Sequence, residues 1–221
     1  MLRMAAADEH TRLDDAPEAV VQALLDRPPV ALRLLAAART CALDRGISRV
    51  TMSDVARRAD VSRTTLYRHY PDVETVLRDL VTLDFGRAVL EAKHAVDHLP
   101  TARERLAGTI VNGCRILRRD ALFRKILDVD PEFVLPYVTA RLGVSQRVVL
   151  TLLSGGVEAG QADGSVRAGD PGAISRLLLL QVQSLVVSLG AVSDEDPAME
   201  DAILDVASDM FDAQLRPAPA A

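Results

Sequence analysis

Thr51-Met-Ser-Asp-Val-Ala-Arg-Arg-Ala-Asp-Val-Ser-Arg-Thr-Thr-Leu-Tyr-Arg-His-Tyr70 reads as two short helices joined by a tight turn. Met52, Val55, Ala56 and Ala59 recur at helical spacing and make one apolar face. Asp60-Val61-Ser62 breaks that pattern. Ser62 suits the start of the next helix, because its hydroxyl can accept from an N–H group that has no partner in the first turn. In that second helix Leu66 and Tyr70 lie one turn apart on the inner side. At ~100° per residue, Thr64 and Arg68 fall almost opposite Leu66, with Thr65 and Tyr67 on the flanks. The outward face therefore carries hydroxyls, a phenol and a guanidinium with few acids, which is the chemistry of a helix that enters a DNA major groove.

The elements around this pair follow the same logic. A preceding helix is expected over 30–44, with Leu34, Leu35, Ala38, Cys41 and Ala42 as its inner stripe and Gly46 at its end. Thr51 with Asp54 three residues on resembles a capping box. From Pro28 to Tyr70 there are eight Arg and three Asp, a net of +5. The whole chain of 221 residues carries −5, so the remainder carries −10. A small basic segment on an acidic body fits a partner of concentrated negative charge, since binding responds to the local field.

From Leu34 to Leu77 the chain resembles the DNA-binding part of the tetracycline-repressor (TetR) family. The residues that carry the resemblance are Gly46-Ile47, Thr51, Val55-Ala56, Ala59, Val61-Ser62, Thr65-Leu66-Tyr67-Arg68-His69-Tyr70 and Leu77. Asp60 stands where the family usually has Gly, Thr64 where it has a small residue, and Val73 where Lys is common. The last removes an expected phosphate contact. The resemblance implies an all-α fold: an N-terminal three-helix helix-turn-helix domain and a C-terminal helical ligand-binding and dimerisation bundle. The expected boundaries are a flexible arm over 1–27, a DNA-binding domain over 28–72, a ligand-binding and dimerisation domain over 73–215 and a disordered tail over 216–221.

The rest of the chain reads as helices. One is expected from Asp72 towards His98. An amphipathic helix over 101–119 follows, then a short one over 121–127. Asp130-Pro131-Glu132 is a strong helix start, with a pattern that runs to about residue 159 and breaks near Gly143 or Gly155-Gly156. A helix after Asp170-Pro171 is apolar nearly all round, so it must be covered on more than one side. A last helix follows Ser193 to Pro197. The resemblance implies that these two form a four-helix dimer interface, for which Leu178, Val182, Leu185, Val186, Ile203 and Met210 are the candidates. It also implies a small, largely apolar effector inside the bundle, with Phe85, Cys114, Leu117, Phe123, Phe133, Tyr137 and Gln181 as candidate lining.

The DNA-facing set is Arg49, Thr51, Ser53, Ser62, Arg63, Thr64, Thr65, Tyr67, Arg68 and His69. Arg63, Thr64, Thr65 and Tyr67 are the base-edge candidates; Arg49, Thr51, Ser53, Arg68 and His69 orient the protein on the backbone. No nucleophile elbow, phosphate loop or three-ligand metal motif occurs, so neither an enzyme nor a cofactor is expected. His94 and His98 lie four apart, yet no third metal ligand accompanies them. Cys41 and Cys114 read as buried small hydrophobes. No membrane-spanning run and no signal peptide are expected, which points to the cytoplasm. The reading is a ligand-responsive regulator, a repressor that binds a near-palindromic operator on double-stranded DNA as a homodimer. The alternative is a helical adaptor, or a redox- or metal-responsive regulator without an organic ligand.

Overall fold

In the computed structural model, residues 17–218 are described. Among them the architecture is all-α: α1 (Pro17–Leu25), α2 (Pro29–Arg45), a 3-10 turn (Ile47–Arg49), α3 (Met52–Arg58), α4 (Arg63–His69), α5 (Val73–His94), α6 (Ala102–Arg119), α7 (Ala121–Val129), α8 (Pro131–Thr139), α9 (Val144–Ala162), α10 (Pro171–Val192) and α11 (Pro197–Leu215). They form two compact units. The first holds the described residues up to 87 together with 119–145; the second holds 88–118 and 146–218. Helix α5 contributes to both.

In the first unit, α2 buries Leu34, Leu35, Ala38 and Ala42, and Val55 of α3 and Leu66 of α4 are fully enclosed. Enclosing Leu66 is worth ~2 kcal/mol, enough to hold a seven-residue helix that would not persist alone. The arm expected over 1–27 includes helical turns at its inner end. Residues 1–16 lie outside the described residues, but Pro17–Leu25 is a helix and Leu24 is buried. Arg27 then anchors the entry: its guanidinium lies 5.6 Å over the Tyr70 ring, donates to the Tyr70 hydroxyl at 2.9 Å and pairs with Asp79. Burial opposes the charge of Arg27, but Asp79 and Tyr70 together outweigh it and raise its pKa.

Gly46 ends α2 with φ +93° and ψ 152°, a positive φ that glycine takes without the strain a side chain would bring. A Cβ there would strike Asp130. This contact explains a correction. Asp130 was expected to cap α8 with its carboxylate, but it makes no such bond; it is buried, and Oδ2 has no hydrogen-bond partner. Only its carbonyl serves the helix, accepting from the Phe133 N–H at 2.9 Å. The helix after Pro131 ends at Thr139, and α9 then runs unbroken through Gly155 and Gly156. Gly156 is needed for close approach, since a Cβ would lie 2.8 Å from a methyl of Leu106.

In the second unit α6 and α11 are joined by ion pairs in antiparallel order: Arg103 with Asp212, Arg115 with Asp201 and Asp205, and Arg118 with Glu200. Helix α6 opens with a capping box, Thr101 N–H donating to Glu104 at 3.1 Å and Glu104 N–H to the Thr101 hydroxyl at 3.2 Å. Helices α10 and α11 lie side by side, tied by reciprocal amide bonds between Gln181 and Gln214 at 3.1 and 3.0 Å. By length and composition α10 is the one helix among the described residues apolar enough to cross a membrane, although none was expected; only 28% of its most apolar window is buried in its own chain.

Candidate nucleic-acid interface

The helix pair over 51–70 is built by two hydroxyl caps. Thr51 Oγ1 accepts from the Asp54 N–H at 3.2 Å and donates to Asp54 Oδ2 at 2.7 Å. That bond, ahead of the nearby guanidiniums, holds the Asp54 carboxyl below its ordinary range. It also commits the hydroxyl proton of Thr51 to the cap. Ser62 accepts from the Thr65 N–H at 3.1 Å, and the two hydroxyls lie 2.9 Å apart. The turn between the caps places Asp60 at φ +52°. Here the side chain stands in a backbone region that favours glycine.

Helix α4 turns Leu66 inward and leaves Arg63, Thr64, Tyr67 and Arg68 exposed, with Tyr67 at 55%. Thr65 and His69 are half-buried on its flanks. The arginines around it fall into two groups. Arg45 and Arg57 converge on Asp54, and Arg58 pairs with Asp44. Arg49 and Arg68 have no carboxylate partner among the described residues, so their charge faces outward. Arg63 is held by a neutral group: its Nη2 donates to Ser53 Oγ at 2.9 Å.

In the second unit the expected dimer residues divide. Met210 is 64% exposed, and Val182, Leu185 and Ile203 are half-buried. Leu178 and Val186 are 1% and 6% exposed, packed within their own unit. The outward apolar positions are Leu177, Leu180 and Val192 on α10, and Met199, Val206 and Met210 on α11. The exposed set shares only Met210 with the expected dimer residues; on α10, apolar nearly all round, periodicity does not say which side faces out.

The expected effector residues also separate. In the first unit Phe85 meets Phe123 edge-on at 5.5 Å, and Phe133 meets Tyr137 at 6.3 Å, with Arg141 over the Tyr137 ring. In the second unit Cys114 and Leu117 are buried and Gln181 is engaged with Gln214. A pocket of about 150 Å³ in that unit is lined by Arg167, Ala168, Gly169, Ile174, Leu177, Leu178, Gln214 and Leu215, none of them an expected effector residue. Burial pushes the Cys114 thiol up to about 12 and raises that of Cys41, so both stay protonated.

The profile of the family described as bacterial regulatory proteins, tetR family, matches residues 34–80. An uncharacterised HTH-type transcriptional regulator of Mycobacterium bovis is 35% identical over 183 residues, covering 83% of this chain and 89% of its own. The chain belongs to the TetR family. A regulator of Mycobacterium tuberculosis matches over the same length at the same identity. TetR-family regulators are not enzymes; they bind DNA through the helix-turn-helix pair. Among solved structures, FadR of Bacillus subtilis in complex with stearoyl-CoA has a TM-score of 0.63 at 17% identity, covering 84% of this chain and 99% of its own. A SmeT–triclosan complex has 0.61 at 21%, covering 86% and 92%. At these identities they speak to the shared fold.

Proposed function

We propose that this TetR-family protein is a ligand-responsive repressor of the cytoplasm. Two copies bind a near-palindromic operator, and a small, mostly apolar effector releases them. The reader comprises residues 28–72; effector binding and dimerisation fall to 73–215. The observation that carries the reading is helix α4: one enclosed leucine beneath, and Arg63, Thr64, Tyr67 and Arg68 standing clear of the protein. The outward stripe of α10 and α11 supports the dimer, because six large apolar side chains there are about half or more exposed. The stearoyl-CoA and triclosan complexes of structurally similar proteins support an apolar effector. The candidate lining for that effector stays as expected from the sequence: Phe85, Cys114, Leu117, Phe123, Phe133, Tyr137 and Gln181. Two enclosed, protonated thiols favour this reading over a redox-responsive one.

The test is selection of duplexes from a random library by the full-length protein, followed by titration at several salt concentrations. A two-fold symmetric site with half-sites about one helical turn (~34 Å) apart, and a steep fall of affinity with salt, are expected. An enriched site without symmetry, or flat salt dependence, refutes the reading.

A further inference from the structure

Among the described residues of the reader, Arg63 is the arginine bonded to a side-chain hydroxyl and to no carboxylate. Arg63 opens α4, where the first turn of such a helix points into the groove. Ser53 lies in the first turn of α3, ten residues earlier. Both side chains are exposed, and their only tie is the bond from Arg63 Nη2 to Ser53 Oγ at 2.9 Å. The other head arginines that are bonded at all are bonded to carboxylates, which cancel their charge. A serine hydroxyl holds the guanidinium in place and leaves the charge intact.

The consequence follows from guanidinium geometry. The group is planar with five N–H donors, and two of them on one edge pair with O6 and N7 of guanine. A free arginine side chain loses much rotamer freedom when it forms that pair. Ser53 takes one donor on Nη2 and fixes the plane before DNA arrives; the remaining donors suffice for the two-bond contact. We propose that Ser53 is a positioning residue for sequence readout: it acts through Arg63 to set the preference for guanine at one position of each half-site. This rests on the groove-reading role proposed for Arg63. It differs from the expectation that Ser53 touches the phosphate backbone, because a backbone contact carries no sequence information.

The test uses full-length protein, the selected operator, and four duplexes that vary the base pair opposite Arg63. Arg63→Ala is expected to abolish the guanine preference there. Ser53→Ala is expected to reduce the ratio of guanine to non-guanine affinity by about 3- to 10-fold, as for loss of one orienting hydrogen bond. Ser53→Thr, which keeps the acceptor, should restore it. In the Arg63→Ala background, Ser53→Ala should change no affinity further. The inference is overturned if Ser53→Ala weakens all four duplexes equally, if it costs the same with and without Arg63, or if it has no effect. If Arg63→Ala itself leaves the preference intact, the groove-reading assignment fails first. Circular dichroism melts of each variant separate loss of readout from loss of fold.

Discussion

Met210 gives the sharpest test of how this chain associates. It is 64% exposed on α11, and Leu180 is 62% exposed on α10. Fully burying a methionine or leucine side chain is worth ~1.5–3 kcal/mol, so the share still to be gained at each position is about 1–2 kcal/mol. A two-fold interface uses each residue twice, so Met210→Ala removes about 2–4 kcal/mol before relaxation. Since ~1.4 kcal/mol is a factor of ten, the dimer dissociation constant should rise on the order of 10- to 100-fold once the retained Cβ is allowed for. Leu180→Ala should behave alike. Leu178→Ala is the control. At 1% exposure it leaves a cavity in its own unit, so it should cost about 2–5 kcal/mol of folding stability. Sedimentation equilibrium of the three variants, with melts in parallel, measures both quantities. An unchanged association constant for Met210→Ala and Leu180→Ala refutes the assignment of this face to a second subunit. So does recovery of the wild-type protein in the membrane fraction, which would give the apolar stripe of α10 a different cover.

Three further outcomes are expected. Asp60→Gly relieves a side chain at φ +52° and should raise stability by roughly 0.5–1 kcal/mol, seen as a higher melting temperature with unchanged DNA affinity; a lower one contradicts it. Arg49→Gln and Arg68→Gln should each lessen the slope of log affinity against log salt by about 1, whereas Arg57→Gln, already paired with Asp54, should lessen it clearly less; equal effects would show that the Asp54 pairing gives way on DNA. Asp72 accepts from the Thr75 N–H at 2.7 Å, and that bond holds its carboxyl below the ordinary range. Its contribution to stability is therefore present above the ordinary carboxylate pKa and is lost as pH falls towards the lowered value. Melts across the acid range should show a shallower pH dependence for Asp72→Asn; an identical slope would remove Asp72 from acid denaturation.

Sequence alone determined the reader and the order of helices. Spacing in α3 and α4 marks an apolar side, the hydroxyls at Thr51 and Ser62 mark the starts, and these are local facts that a backbone with 3.6 residues per turn converts directly into structure. It was silent where a decision depends on what lies opposite. Asp130 looked like a cap, but Gly46, distant in the chain, offers its carboxylate a place against the backbone. Ser53 and Arg63 are ten residues apart on different helices, and only the turn at Asp60 brings them to bonding distance. On α10, where almost every position is apolar, tertiary packing alone chose Leu178 and Val186 for the interior and left Leu177, Leu180 and Val192 outside. A helix with no polar side carries no record of its own orientation, so its neighbours must supply it.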